Sequence, residues 1–503
     1  MIAKINAFTL MGLNGIPIEV EVDVNNGLPT FDVVGLADTA VKEAKERVRS
    51  AIKNSGRQMP VKHLTINLAP ADVKKEGSSL DLAIAIGVLV SSGQIEADVR
   101  DTVFIGELSL DGSLRRVNGV LPILISALDT GYKKFIIPEG NAKEASFVDG
   151  IEVVAASSLK AVIDHLSGLS VISPIEKCDY VAERCKNVYS SDLSLVKGQA
   201  TAKRALEVAV SGGHNLLFVG APGTGKTMLA KCIPTIMPDM TFSEALETTK
   251  IHSVAGMLKD SDGIVYARPF RSPHHTATVA SMAGGGTKVK PGEISLAHNG
   301  VLFLDEMPEY PRSVLETLRQ PLEDGVISVS RVMASVTYPA NFIMCGSMNP
   351  CPCGNYGSAE KTCTCTPSQI AKYKSKISGP LLDRIDIQVE VDEVKYSELS
   401  DQTEAETSEV VRARVNRTRL IQKERFKGDG ILTNSDMGEN HIKKYCVLSK
   451  DCEEILKRAY ETLHLSPRAR SRIIKVARTI ADMAQLEKIC PEHILEAISY
   501  RHS

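Results

Sequence analysis

The chain has 503 residues, 43% of them hydrophobic and 24% charged, a mix that excludes wholesale disorder. At roughly 100–200 residues per domain, about three domains are expected. Lys+Arg 59 against Asp+Glu 61 leaves a net charge of -2, which excludes a uniformly basic nucleic-acid coat but not a local basic channel; the lack of Trp and an aromatic content of 5% exclude a surface rich in base-stacking rings.

The N-terminus, MIAKINAFTLMGLNG, has no long apolar stretch of the kind a secretory signal needs. The longest strongly apolar run, Leu82 to Val90, falls short of the ~18 residues that span a bilayer, so a soluble, cytoplasmic protein without membrane contact is expected. Residues 1–168 mix alternating segments such as Ile18-Glu19-Val20-Glu21-Val22 with a helical pattern over Asp38 to Lys53, which predicts an α+β domain. Residues 169–191, with Pro174 and scattered charges, read as a linker. Residues 192–393 alternate helical stretches with the continuous apolar runs Leu216 to Val219, Val301 to Leu304 and Phe342 to Cys345; runs apolar on both faces predict a parallel sheet covered by helices on both sides. Residues 405–503, rich in Lys, Arg and Glu with helical periodicity, predict a small helical bundle.

The chemistry concentrates in the third of these segments. Gly220-Ala221-Pro222-Gly223-Thr224-Gly225-Lys226-Thr227 lies between an apolar strand and the helix-compatible run Met228 to Ile233. Glycines let backbone N–H groups wrap a phosphate, the helix N-terminus adds partial positive charge, Lys226 reaches the β/γ-phosphates and Thr227 offers a hydroxyl to Mg²⁺. Four apolar residues then run into Asp305 and Glu306, at the carboxyl end of a buried strand, where open α/β sheets bind ligands. Asp305 is expected in the Mg²⁺ shell and Glu306 against the attacking water of ATP hydrolysis. Asn349, ending the next apolar strand, can orient that water or simply form a turn before Pro350. Arg384 and Arg468 each fit either a group that stabilises phosphoryl charge or a surface ion pair; Ser466 is placed to cap a helix that begins at Pro467.

Together with Gly284-Gly285-Gly286, the segment Pro291 to Gly300 leading into VLFLDE, then MNPCPCG, GPLLDRID and Arg472 to Asp482, these residues resemble the magnesium-chelatase-like branch of the AAA+ ATPases. The first block looks like the Lon-protease-type, ribosomal S5-like domain fused to this motor in the YifB/ComM family. The resemblance covers almost the whole chain. It implies an AAA+ P-loop sheet with a helical lid, ATP and Mg²⁺ as cofactors, Asn349 as sensor 1, Arg384 as an arginine finger acting on a neighbouring subunit, Arg468 as sensor 2, and Val196 to Gln199, Gly198 included, beside the adenine. A finger acting in trans implies a homo-oligomeric ring, normally a hexamer. The same family suggests a DNA helicase driving branch migration in natural transformation and recombination; a protein-remodelling ATPase is the alternative. Metal insertion into a porphyrin is not implied, because that chelatase motor lacks the fused N-terminal domain.

Glu76-Gly77-Ser78-Ser79 resembles the segment that carries the Lon nucleophile, with Ser79 in the matching place. The lysine partner is expected near 121–123, where this chain has Leu121-Pro122-Ile123. Without an amine to act as base, the first block is expected to be proteolytically inactive, its serines capping the helix of Leu80 to Leu89. Cys351, Cys353, Cys363 and Cys365 form two C-x-C pairs; four thiolates suit Zn²⁺, though structural pairs are usually C-x₂-C, and reduced loop thiols are the alternative. Candidate DNA contacts are Arg331, at the turn of a hairpin before sensor 1, and Lys288 and Lys290 in an insertion spanning 268–291; facing solvent or the adjacent subunit is the other option. His274 and His275 are discounted as metal ligands, since neighbours on a strand or helix diverge.

Overall fold

The computed structural model describes residues 2–501 except 39–40, 42, 76, 185–188, 190, 287–288, 332–333, 358–360, 395–404 and 464; the side chains of 184, 330, 331 and 334 are also outside the description. Among the described residues, no helix is long and apolar enough to cross a membrane.

The first block is built on a seven-stranded sheet. Its strands are β1 (Ile2–Met11), β2 (Asn14–Asn25), β3 (Thr30–Val34), β4 (His63–Ala69), β5 (Thr102–Phe104), β6 (Lys134–Pro138) and β7 (Glu152–Ala156). The order is β3-β4-β2-β1-β5-β6-β7, antiparallel at β1/β2 and β2/β4 and parallel elsewhere. The period of two assigns the faces: Ile5 and Ala7 join the core under the helix Asp81–Ser91, and Phe8 joins the core under the helix Val120–Asp129. The Asp81–Ser91 helix is buried almost all round, and Gly87 lets it sit on the sheet, since a Cβ there would lie 2.5 Å from Val22 Cγ2.

The expected linker does not run free. Ile175 N–H donates to Val153 O (2.9 Å), and the short helix Tyr180–Arg184 places the Tyr180 ring in a small core with Phe147, Met240 and Ile264. Its tyrosines and the apolar Ile175 carry no periodic signature that marks them as packed.

The second block holds a five-stranded sheet of β8 (Leu216–Val219), β9 (Phe270–Arg271), β10 (Val301–Leu304), β11 (Ile343–Met348) and β12 (Ile387–Glu390), all parallel, in the order β9-β10-β11-β8-β12. Both faces are covered: Leu216, Phe218, Val301 and Phe303 enter one core, Leu217, Leu302 and Leu304 the other. The strand expected from Phe342 to Cys345 is β11, continued to Met348.

The helices Ser408–Arg425 and Pro467–Met483 lay their apolar faces on the helix Ala200–Gly212, and Val411, Val415, Ile473 and Ala477 share one core with Leu206 and Phe218. The lid is therefore not an independent bundle. Beneath it His214, fully buried, bridges Asp386 (3.1 Å) and Thr479 (2.8 Å). Ser466 caps its helix as expected, accepting from Ala469 N–H.

Candidate functional site

The loop between β8 and the helix Lys226–Ile236 turns at Gly223 (φ 85°) and Gly225 (φ 91°), and a Cβ added at either would meet nothing within 4 Å. Open space on the concave side, with backbone N–H groups around it at a helix N-terminus, fits a phosphate chain. Lys226, 8% exposed, donates to the carbonyls of Gly220 (2.7 Å) and Ala221 (2.8 Å) and lies 3.4 Å from Asn349 Oδ1. Burial draws its ammonium below the usual lysine range, and the charges of Asp305 and Glu306 oppose that. Thr227 Oγ1 donates to Asp305 Oδ2 (3.1 Å), so the two expected Mg²⁺ ligands are already neighbours. The segment of Val196 and Gly198 reaches the same loop: Gln199 donates to Asp392 O (2.6 Å) and Thr224 O (3.4 Å).

Three residues are absent from the expected set, two of them at this edge. Ser347 Oγ donates to Asp305 Oδ1 (2.5 Å) and accepts from Glu306 N–H (3.1 Å), holding both acids on the strand next door. Its only sequence signal is a lone hydroxyl inside an apolar strand. His275 Nδ1 lies 4.0 Å from Glu306 Oε2, and its ring centroid is 4.0 Å from that of His274. The two imidazoles lie side by side because the segment is neither strand nor helix, which removes the reason given for divergence; among the described residues no third ligand joins them. Glu323 is the third, met at the other edge of the sheet.

Arg384 and Arg468 are not at the phosphate loop. Both line a cleft of about 750 Å³ with Glu323, Asn215, Phe342 and Asp386. Arg384 ion-pairs with Glu323 and donates to Pro380 O (2.8 Å), and its own carbonyl accepts from Asn215 Nδ2 (3.0 Å). Arg384 beside it, and Arg468 further off, hold the Glu323 carboxyl below its usual range. Asn215 and Phe342 immediately precede β8 and β11, and Asp386 precedes β12. The cleft thus sits at the amino edge of the sheet, and the phosphate loop leaves its carboxyl edge. A four-residue strand separates the two edges by about 13 Å.

Along the helix that carries Arg468, Arg470 pairs with Glu453, Arg472 with Asp386, and Arg478, 2% exposed, with Asp482.

In the first block Ser78 Oγ donates to Glu107 and caps nothing; the helix starts at Asp81 with no side-chain cap. The expected cap is corrected by that acceptor on the facing hairpin. Ser78 and Ser79 line an interdomain pocket of about 270 Å³ together with Ile123, Arg116, Tyr338 and Lys290. Lys290, a candidate DNA contact from the sequence, thus lines the pocket of Ser78 and Ser79. The hairpin Val326–Arg331/Ala334–Pro339 is present; the Arg331 side chain and Lys288 lie outside the described residues.

The four cysteines converge, with all their Sγ atoms within 4.8 Å of one another. The N–H groups of Asn355 and then Thr364 pull the Cys353 thiol down to about 6.

Comparison with known proteins matches this arrangement to three family profiles: "Magnesium chelatase, subunit ChlI" over residues 192–399, "Subunit ChlI of Mg-chelatase" over 20–141, and "Magnesium chelatase, subunit ChlI C-terminal" over 405–501. The chain is 43% identical to the YifB protein of Escherichia coli (strain K12) over 493 residues, covering 98% of this chain and 95% of that one. It is 43% identical to competence protein ComM of Haemophilus influenzae over 497 residues, covering 98% and 96%. Lon protease 2 of Bacillus subtilis (strain 168) is 26% identical over 180 residues, 32% of each chain.

Proposed function

The chain belongs to the YifB/ComM family of magnesium-chelatase-like AAA+ ATPases, with a Lon-like N-terminal region, and from that premise we propose that it assembles into a ring, normally a hexamer, that hydrolyses Mg·ATP to move along DNA. The observation that carries the oligomer is the separation of the arginines from the phosphate loop. A guanidinium at the amino edge cannot reach a γ-phosphate at the carboxyl edge of its own sheet, so Arg384 and Arg468 act on the nucleotide of the adjacent subunit. Arg384 must leave Glu323 to do so, which makes that ion pair the resting state of an unengaged interface.

Within a subunit, the backbone amides of Gly223 to Thr227 and the Lys226 ammonium hold the phosphates, and Thr227 and Asp305 hold Mg²⁺, which neutralises developing phosphoryl charge. Glu306 orients the water and Asn349 fixes its angle. Zn²⁺ on the four thiolates is a structural ion in this scheme. The 43% identity to competence protein ComM supports a role in competence, and we propose branch migration during integration of incoming DNA as the step the motor drives. The hairpin at 326–339 and the insertion of Lys288 and Lys290 are the DNA-facing candidates.

The test is ATP turnover and strand displacement with single-stranded, duplex, forked and three-stranded DNA, and with an unfolded protein, alongside the mass of the particle with and without nucleotide. Stimulation by forked or three-stranded DNA with unwinding is expected. Turnover that ignores DNA and rises with unfolded protein would replace the helicase with a protein-remodelling motor.

A further inference from the structure

In a tetrahedral Zn(thiolate)₄ site with Zn–S near 2.3 Å, neighbouring sulfurs lie about 3.8 Å apart. Here Cys351 Sγ is 3.4 Å from Cys353 Sγ and 3.7 Å from Cys363 Sγ, and Cys353 and Cys363 are 3.7 Å apart. All four thiols are free. The single-residue spacing that departs from the usual C-x₂-C lies in a tight turn closed by Gly354 N–H donating to Cys351 O (3.0 Å), with Gly354 at φ 81°. Tyr356 N–H donates to Cys351 Sγ (3.3 Å), as amides do around metal-bound thiolates.

This knuckle touches the ATP site on two sides. Cys351 follows Asn349 by two residues, and Asn349 faces Lys226. Gly354 packs against Pro222 of the phosphate loop so closely that a Cβ would stand 2.6 Å from Pro222 Cδ. Residues 351–357 form turns outside any helix or strand.

We infer that the metal at Cys351, Cys353, Cys363 and Cys365 is a positioning element of the ATPase: metal occupancy clamps Pro222 from one side and Asn349 from the other, so that loss of the ion misplaces both. The inference rests on the zinc assignment proposed above and adds its consequence for turnover. None of the cysteines touches the reacting atoms; they act through Pro222 and Asn349.

Three measurements on the full chain test it. Elemental analysis of reduced protein is expected to find one zinc per chain, and cobalt substitution to give the intense near-ultraviolet thiolate charge-transfer absorption. The double variant Cys363→Ser/Cys365→Ser loses the metal, and its kcat falls at least about tenfold. Gly354→Ala keeps all four thiolates, and in the fraction that elemental analysis finds loaded with zinc KM for ATP and kcat are expected to change together through the Pro222 contact. As a guard against misfolding, zinc is stripped from the wild type by a chelator and restored; recovery of kcat on adding Zn²⁺ alone is expected. Absence of zinc and of the cobalt band overturns the metal assignment itself. Zinc found in the wild type, with turnover unaltered when it is stripped and in zinc-loaded Gly354→Ala, leaves the assignment standing and overturns the coupling.

Discussion

The placement of Arg384 makes a quantitative prediction for mixed rings. On the proposed scheme, Arg384→Ala removes the guanidinium offered to the neighbour, and Glu306→Gln removes the water-activating carboxylate from the subunit's own site. Each homogeneous variant is expected to lose turnover by about 10³-fold or more, the scale of a missing arginine finger. In the proposed ring, one subunit supplies the phosphate loop with Glu306 and the next supplies Arg384, because the roughly 13 Å between the two edges of a sheet keeps Arg384 from its own loop. In a random 1:1 mixture, an interface is intact only when an Arg384→Ala subunit presents its site to a Glu306→Gln subunit. That happens at about a quarter of interfaces, so co-assembled protein recovers up to about a quarter of wild-type ATPase if interfaces fire independently. The assay is phosphate release after mixing the unfolded or dissociated variants and reassembling them with nucleotide. Recovery of nothing, with mixed rings verified by mass, would refute the trans assignment.

Other outcomes follow from the same geometry. Ser347→Ala withdraws a donor from Asp305 and an acceptor from the Glu306 amide, and should lower kcat about tenfold with little change in nucleotide affinity; an unchanged kcat at saturating Mg·ATP would show that both acids hold their places unaided. Asp482→Ala strands Arg425 and Arg478, whose partner is 0% exposed, and should cost about 3–5 kcal/mol in stability, seen as a drop in the urea midpoint; a shift worth under about 1 kcal/mol would contradict a dry network. Asp386 is also buried, which raises its pKa, but Arg472 and then His214 win and hold it well below the usual carboxylate range. A depressed folded-state value means this stabilisation is complete above the unfolded pKa of about 4 and fades as pH falls below it. The melting-temperature gap between wild type and Asp386→Asn should therefore be constant from pH 7 to about 5 and narrow below about 4; a gap independent of pH would remove the charge argument.

The phosphate loop was legible because its chemistry is local. Eight consecutive residues carry the glycines, the lysine and the hydroxyl, and the flanking apolar strand and helix orient them without help from elsewhere. Asp305 and Glu306 were legible for the same reason, as acids ending a strand buried on both faces. Ser347 was not, since a hydroxyl in a strand acquires meaning only from the neighbouring strand, and the β10/β11 pairing is a tertiary fact. The serines at 78 and 79 sat where a cap is statistically expected, but an acceptor on another hairpin, Glu107, took the hydroxyl instead. The argument that adjacent histidines diverge failed at His274 and His275 because it presumes a regular backbone period that this segment lacks.

By itself the sequence determined where the phosphate loop lies and which of its residues are the candidates to grip a triphosphate, because a P-loop is a contiguous segment whose backbone and side chains are specified together. The side of the sheet on which Arg384 and Arg468 lie, the partner Glu323 that holds one of them, and the contact of the cysteine knuckle with Pro222 came only from the tertiary structure. Each joins residues far apart in the chain, and the strand order that brings them together is set by packing two cores against one sheet, which no local pattern encodes.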